Sequence, residues 1–361
     1  MKAKDVKVIA FYLPQYHEIE ENNKWWGKGF TEWTNVKKAT PQFKGHYQPR
    51  IPLNRNYYSL ETDDEMIKQA KMATDYGIYG FCYYHYWFGK NKQLLEKPVD
   101  NMLNDESVNI PFCLCWANEN WSRNWDGGNK EVIMAQDYGD EESWHNHIEY
   151  LVRFFRDKRY IRIENKPVFI IYKPELIECY DEMIAYWNEY LKENGENSLY
   201  IISQYPQIFR EDYKKFNLDA MIKFEPAYTN LHFLYDSRIR HLWWIIKMRI
   251  FKWKGITVRN YKKTWEYIVN ESKKGENLIP GAFVDWDNTP RNQKGTLFIG
   301  ASPKIFKKYF SELVRQVINN EYNTEYIFIN AWNEWGEGAY LEPDEKNGYA
   351  YLEAVKESLN G

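Results

Sequence analysis

Two glutamates near the C-terminal end of the chain, Glu334 and Glu337, stand three residues apart beside Trp335 in the stretch FINAWNEWGEGAYLEP, residues 328–343. Two carboxyl groups that converge in a partly apolar pocket repel each other's ionisation, so one keeps a proton while the other stays charged. That division of labour suits cleavage of a glycosidic bond, where one group protonates the leaving oxygen and the other acts as a base or nucleophile. Convergence depends on the backbone. On a straight strand, positions three apart face opposite sides. On a helical turn they share a face, about 5–6 Å apart at Cβ. Gly336 lies between the two and frees the chain to turn if the strand ends at about Glu334. The competing reading is a solvated acidic loop, which Glu342, Asp344 and Glu345 nearby encourage.

The elements that would carry such a pair are legible as a repeating pattern. Apolar runs of strand length begin at Val6–Pro14, 79–88, Ile110–Asn118, Lys166–Pro174, Leu199–Tyr205, Leu218–Pro226, Leu278–Trp286 and Tyr326–Trp335. Between them come segments of helical pattern, about 61–76, 93–103, 141–157, 177–193, a short piece near 206–216, 262–274 and 303–319, with a closing helix at 349–359. Strands alternating with helices imply a parallel sheet. Eight such units predict a closed α/β architecture, a (β/α)8 TIM barrel, with residues 1–361 as one domain bearing long βα loops. No strand is followed by GxGxxG or GxxxxGK[ST], which removes the usual nucleotide-binding readings.

Barrels of this kind place their active sites at the C-terminal ends of the strands. Those ends are rich in aromatic and hydrogen-bonding residues, and the opposite ends are poor in them. The expected substrate-binding set is Tyr12, Tyr84, His85, Trp116, Asn118, Glu119, Trp121, Lys223, Glu225, Asp285, Trp286, Asn333 and Trp335, around Glu334 and Glu337 as the catalytic pair. Bland readings stand beside several of these. Glu119 could be a second-layer acceptor, His85 a rim histidine bonded to a carbonyl, and Lys223 and Glu225 partners of each other. Each tryptophan could equally be packing. Glu32, in GFTEW, either reaches the site from the first long loop or caps a short helix.

Composition supports a sugar ligand. The 361 residues include 16 Trp, 30 Tyr and 19 Phe. Flat rings beside amides and carboxylates match a molecule with apolar CH faces and a rim of hydroxyls. The formal net charge is −3, so nucleic acid is not expected as a partner. The four cysteines, Cys82, Cys113, Cys115 and Cys179, have no zinc-type spacing and read as reduced thiols. Asp285 and Asp287 form an Asp-x-Asp motif, a metal and nucleotide-sugar signature in one class of glycosyltransferases. The nucleotide-binding fold that motif requires is missing from the pattern, so neither metal nor other cofactor is expected.

The N-terminal MKAKDVKVIAFYLPQ reads as a first strand and not as a signal peptide, and no apolar run is long enough to span a bilayer. The expected location is cytoplasmic. The basic, apolar stretch 241–255 offers two readings, an amphipathic helix of the outer layer or a peripheral contact with membrane or glycolipid.

Four stretches carry a wider resemblance: VIAFYLPQYHEIEENNKWWGKGFTEWTNV, GFCYYHYWF, FCLCWANENWSRNWDG and NAWNEWGEGAYLEP. Together they resemble the WbsX-type family, named as glycosyltransferases and often encoded with bacterial surface-polysaccharide genes, including those for lipopolysaccharide. That family is similar in turn to glycoside hydrolase family 99, the endo-α-mannosidases and mannanases, which are (β/α)8 barrels. Glu334 and Glu337 match the two carboxylates of the hydrolase signature. The resemblance implies a retaining reaction. Glu334 would take the proton of the sugar's own 2-hydroxyl, forming a 1,2-anhydro sugar, and Glu337 would act as acid and then base. The departure is Gly336, where the hydrolases carry His. The leading expectation is therefore a glycoside hydrolase or transglycosidase acting on a bacterial polysaccharide. The runner-up is a nucleotide-sugar-dependent glycosyltransferase of surface-polysaccharide biosynthesis, and the third reading a non-catalytic glycan-binding barrel.

Overall fold

The computed structural model describes residues 2–123, 131–205, 215–235, 255–271, 277–292 and 294–361. Eight parallel strands surround a central axis. They are β1 (Lys7–Tyr12), β2 (Ile78–Trp87), β3 (Phe112–Trp116), β4 (Lys166–Ile171), β5 (Tyr200–Tyr205), β6 (Ala220–Lys223), β7 (Leu278–Ile279 and Gly281–Phe283) and β8 (Tyr326–Asn330). Each pairs with its neighbours in chain order, and β8 pairs back onto β1 with Lys7 opposite Tyr326.

Strand β7 closes the ring in two halves. Leu278 and Ile279 pair with β6, and Gly281 to Phe283 pair with β8. Pro280 marks the hand-over. It has no N–H to give, while its carbonyl accepts from the Phe328 amide at 3.1 Å. Gly281 follows because β6 comes very close: a Cβ there would lie 1.8 Å from the Lys223 carbonyl oxygen.

Parallel strands need crossovers, and helices provide them. The helices are α1 (Glu20–Trp26), α2 (Glu32–Lys38), α3 (Asp64–Asp75), α4 (Lys97–Asn104), α5 (Glu141–Phe155), α6 (Tyr180–Glu193), α7 (Ala227–Tyr235), α8 (Tyr261–Asn270), α9 (Pro303–Ile318) and α10 (Ala350–Asn360). The sequence reading anticipated most of these within a few residues. It missed α1 and α2, which lie inside the first long loop, and it missed α7. It also began α4 too early: Gln93 and Leu94 form a short strand against Tyr86 and Trp87. The short helical piece near 206–216 and the basic stretch 241–255 fall mostly outside the described residues. Among the described residues, no helix is long and apolar enough to cross a membrane.

The two faces of each strand have different fates, because successive side chains alternate. One set points into the barrel. Phe11 of β1 meets Tyr84 of β2 at 5.6 Å, Phe328 of β8 at 5.6 Å, and Phe224, just beyond β6, at 5.2 Å. Strands β1 and β6 are not neighbours, so that last contact spans the interior. Gln204 and Cys115 also meet there. The other set meets the helices. Trp116 and Phe169 pack on His147 of α5 and Trp187 of α6, and Phe283 stacks on Trp265 of α8. Burying each such ring contributes about 1.5–3 kcal/mol. All four cysteines are free thiols, and Cys82, Cys113 and Cys115 are buried.

Candidate functional site

Above the C-terminal strand ends lies a cavity of ≈ 620 Å³, within the usual size for small-molecule sites. Tyr84, Tyr86, Trp121, Tyr172, Phe224 and Trp286 wall it with rings, and Glu119, Arg291, Glu334 and Glu337 supply charge.

The chain beyond β8 does not continue as a strand through Trp335. It folds into a small hairpin, with Asn333–Glu334 paired to Ala339–Tyr340 and one 3-10 turn, Trp335–Glu337, between them. The turn brings Glu334 and Glu337 onto one side. Asn333 fixes the hairpin to β1, since its side-chain oxygen accepts from Leu13 N at 2.8 Å and its amide donates to Leu13 O at 3.0 Å. Trp335 anchors it from behind. Its ring stacks on Tyr340 at 3.7 Å, and its Nε1–H donates to Glu342 at 2.6 Å.

Both carboxyl groups meet one guanidinium. Arg291, in the loop after β7, places one terminal nitrogen 2.8 Å from Glu337 Oε1 and the other 2.8 Å from Glu334 Oε2. The same arginine holds Glu32, the first residue of α2, with Nε 2.9 Å from Oε1. Three carboxyl groups thus share one cation. Glu337 is the most open of them at 23% side-chain exposure, against 7% for Glu334 and 0% for Glu32. Burial pushes the Glu334 carboxyl up to about 8, and the charges of Glu337 and Glu32 add to the rise while Arg291 opposes it. Glu337 is also raised, chiefly by burial and then against the pull of Arg291. The pair therefore retains a proton well above the ordinary carboxylate range, and its titration belongs to the pair. Desolvation raises the hydroxyls of Tyr84 and Tyr86 well above the ordinary tyrosine value, so both stay protonated donors.

Strand parity decides which expected residues reach this cavity. Tyr84, Glu119, Trp121 and Trp286 line it together with Glu334 and Glu337. Tyr12, His85, Trp116, Lys223 and Asp285 do not, because each stands one residue out of step and turns outward from the barrel axis. Tyr12 donates to Gln69 of α3 at 2.5 Å. His85 bonds the His147 ring at 2.9 Å and stacks on Tyr150, and burial holds its pKa down at about 3. Trp116 donates to the Trp87 carbonyl. Lys223 pairs with Glu271 at 2.9 Å. Asp285 pairs with Arg50 at 2.9 Å.

Asn118, Glu225, Asn333 and Trp335 are not among the residues lining this cavity: their polar groups bond backbone, the start of a helix or, for Trp335, the Glu342 carboxyl. Asn118 clasps Lys173 through both backbone groups. Glu225 accepts from the Thr229 hydroxyl and amide at the start of α7. As for Asp-x-Asp, Asp287 accepts from Gln48 and meets His46 at 2.7 Å, and Arg50 reaches both aspartates. A guanidinium occupies the place where a shared cation would sit.

Sequence reasoning passed over Arg291, Leu13, Phe224 and Leu231. Parity would have found Leu13 and Phe224. For Arg291 the only signal was the need of three buried carboxyls for a counter-charge. Glu32 does reach the site and is more than a helix-end residue.

The buried acids predict how stability depends on pH. Glu334, Glu225 and Glu342 are each raised to about 8, in each case chiefly by burial. A carboxyl raised in the folded state binds its proton more tightly there than in the unfolded chain. Its stabilising contribution is present below the ordinary value and is lost as pH rises toward the folded one. The urea midpoint should therefore fall between about pH 5.5 and about pH 8.5, and Glu334→Gln should flatten that fall. A midpoint that rises over this range would contradict the burial described.

The fold is a TIM barrel with a cavity lined by rings and carboxyl groups at the C-terminal strand ends. The chain belongs to the family described as Glycosyltransferase WbsX, whose model matches residues 8–355. Two curated relatives from strains of Xanthomonas campestris pv. campestris, both described as "Uncharacterized protein WxcX", are 37% identical over 355 residues, 98% of this chain. The chain spans about half of their length, 49%. A solved structure described as a glycoside hydrolase-like protein matches with TM-score 0.58 at 15% identity, covering 98% of this chain and 94% of that one. The GH99 endo-alpha-mannosidase from Bacteroides thetaiotaomicron matches with TM-score 0.55 at 16% identity, covering 98% and 96%. At these identities the likeness is one of fold.

Proposed function

We propose that residues 1–361 act as one barrel domain that cleaves or transfers glycosidic bonds of a bacterial polysaccharide with retention, using Glu334 and Glu337. The observation that carries this reading is the pair itself, two carboxyl groups held on one guanidinium at the mouth of a ring-lined cavity. Glu337 is the proton donor to the leaving oxygen, because it is the more open of the two to the cavity. Glu334 then serves as the base toward a sugar hydroxyl, and the resemblance to the hydrolases supports the 2-hydroxyl, with a 1,2-anhydro sugar formed on the way. The rings of Trp286, Tyr86 and Trp121 suit the CH faces of a sugar. Glu119, held by an ion pair with Lys173, offers an acceptor to hydroxyls on the wall of the cavity. Buried free thiols suit a reducing compartment, so the proposed setting is the cytoplasm. The stretch 241–255 remains a proposed contact with membrane or glycolipid.

The test is incubation with a panel of defined bacterial oligosaccharides and product analysis by mass and anomeric NMR. Hydrolysis or transglycosylation with retained configuration is the expected result. The family's description favours a second reading, transfer from a nucleotide-sugar. Calorimetry with nucleoside diphosphate sugars and a divalent cation tests it. Strong binding there, with no action on the glycan panel, would replace the first reading. Binding of glycans without any turnover would leave a non-catalytic barrel.

A further inference from the structure

We propose that Glu32 and Arg291 form a positioning dyad, built into the space a side chain at position 336 would fill, that spaces and aims the carboxyl groups of Glu334 and Glu337. This inference rests on the reading of Glu334 and Glu337 as the reacting pair.

Three loops far apart in sequence meet at this one guanidinium: the first long loop through Glu32, the loop after β7 through Arg291, and the hairpin after β8. The arginine fork is planar and rigid, so each carboxyl it holds is placed relative to the other. One terminal nitrogen takes Glu337, and the other takes Glu334 and Glu32. Glu32 Oε1 also accepts from Nε, which locks the plane of the guanidinium. With 0% of its side chain exposed, Glu32 cannot touch a substrate. Its contact is with the arginine.

A Cβ on residue 336 would lie 1.7 Å from Glu32 Oε1 and 2.8 Å from Arg291 Nε. Glycine is therefore required at 336 because the dyad already fills that space. The arginine's loop is also tied to the hairpin directly, since the Asp287 amide donates to the Glu337 carbonyl at 2.6 Å. Asp287 is itself held by Gln48 and Thr289.

Two conservative variants separate charge from geometry. Glu32→Gln keeps shape and removes one negative charge beside the pair. Arg291→Lys keeps the charge and removes the fork. Carboxyl ¹³C NMR titration of the whole protein without any glycan reads the pair directly, with Glu334→Gln and Glu337→Gln as assignment controls. Glu32→Gln should move the titration of the pair to lower pH by about one unit. Arg291→Lys should lose at least about tenfold in kcat/KM on whatever glycan the wild type cleaves. Thermal midpoints report whether each variant folds, and if one does not, the other still decides the matter. An unmoved titration in Glu32→Gln, or full turnover in Arg291→Lys, overturns the proposal. The titration needs no substrate. A shift there beside undiminished turnover in the Glu334 and Glu337 variants would sink the catalytic reading and leave the dyad standing.

Discussion

Glu337→Gln is expected to lower kcat/KM on a cleaved glycan by about a thousandfold, with Glu334→Gln close behind. General acid–base groups typically contribute about 10²–10⁴ in rate, and the two act on one bond, so the double variant should lose little more than the worse single one. The isosteric change keeps the fork of Arg291 occupied, and it removes the ability to give or take a proton. Glu337 should suffer more with poor leaving groups, because protonation of the departing oxygen matters most there. A glycan with an activated aryl leaving group should regain much of the loss in Glu337→Gln and little in Glu334→Gln. Equal losses on both kinds of glycan would contradict the assignment of roles. Unchanged turnover in both variants would remove the pair from the chemistry altogether.

Arg291→Met is expected to be the most destabilising single change in the site. The guanidinium is buried, with 9% of its side chain exposed, and it answers three carboxyls. Removing one partner of a buried ion pair costs about 3–5 kcal/mol, because the remaining charge is stranded away from water. Here the stranded groups can take up protons. Without the arginine, which lowers both Glu334 and Glu337, their carboxyls should titrate higher still. The loss should then be large near pH 8 and clearly smaller near pH 5, where protons neutralise the cluster. Urea unfolding of the variant and wild type at the two pH values measures this difference. A loss that is the same at both would mean that the arginine acts through packing and not through charge.

The barrel was legible in the sequence because eight apolar runs alternate with helical pattern, and parallel strands buried on both faces read as continuous apolar stretches. The convergence of Glu334 and Glu337 was legible too, since Gly336 marks the turn that brings them onto one side. The residues that line the cavity were less so, and the reason is the period of two. Within YYHYW of β2, Tyr84 and Tyr86 enter the cavity, while Tyr83, His85 and Trp87 pack outward. On the β3 side Ala117 and Glu119 enter, while Trp116 and Asn118 do not. Near β6 Phe224 enters between Lys223 and Glu225, and after β7 Trp286 enters beside Asp285. Reading every polar strand-end residue as a site residue mixed the two faces. One known inward residue per strand would have sorted them.

Arg291 shows a different limit. It lies in a loop with no periodic signal, and its partners come from positions 32, 334 and 337. Only the folded chain brings those together. The hairpin after β8 was also hidden, because Asn333, Trp335 and Glu342 resemble substrate-binding residues in type. In the structure they form the hydrogen bonds and ring contacts that hold the turn in place.

The most direct test of the central claim is a crystal structure of Glu337→Gln with an oligosaccharide that the wild type cleaves. The glycosidic oxygen should lie within hydrogen-bond distance of the side chain at position 337, about 2.6–3.2 Å. A hydroxyl of the adjoining sugar should face Glu334, with sugar rings against Trp286 or Tyr86. A glycan seated on the outer helices, with the ring-lined cavity empty, would contradict the account.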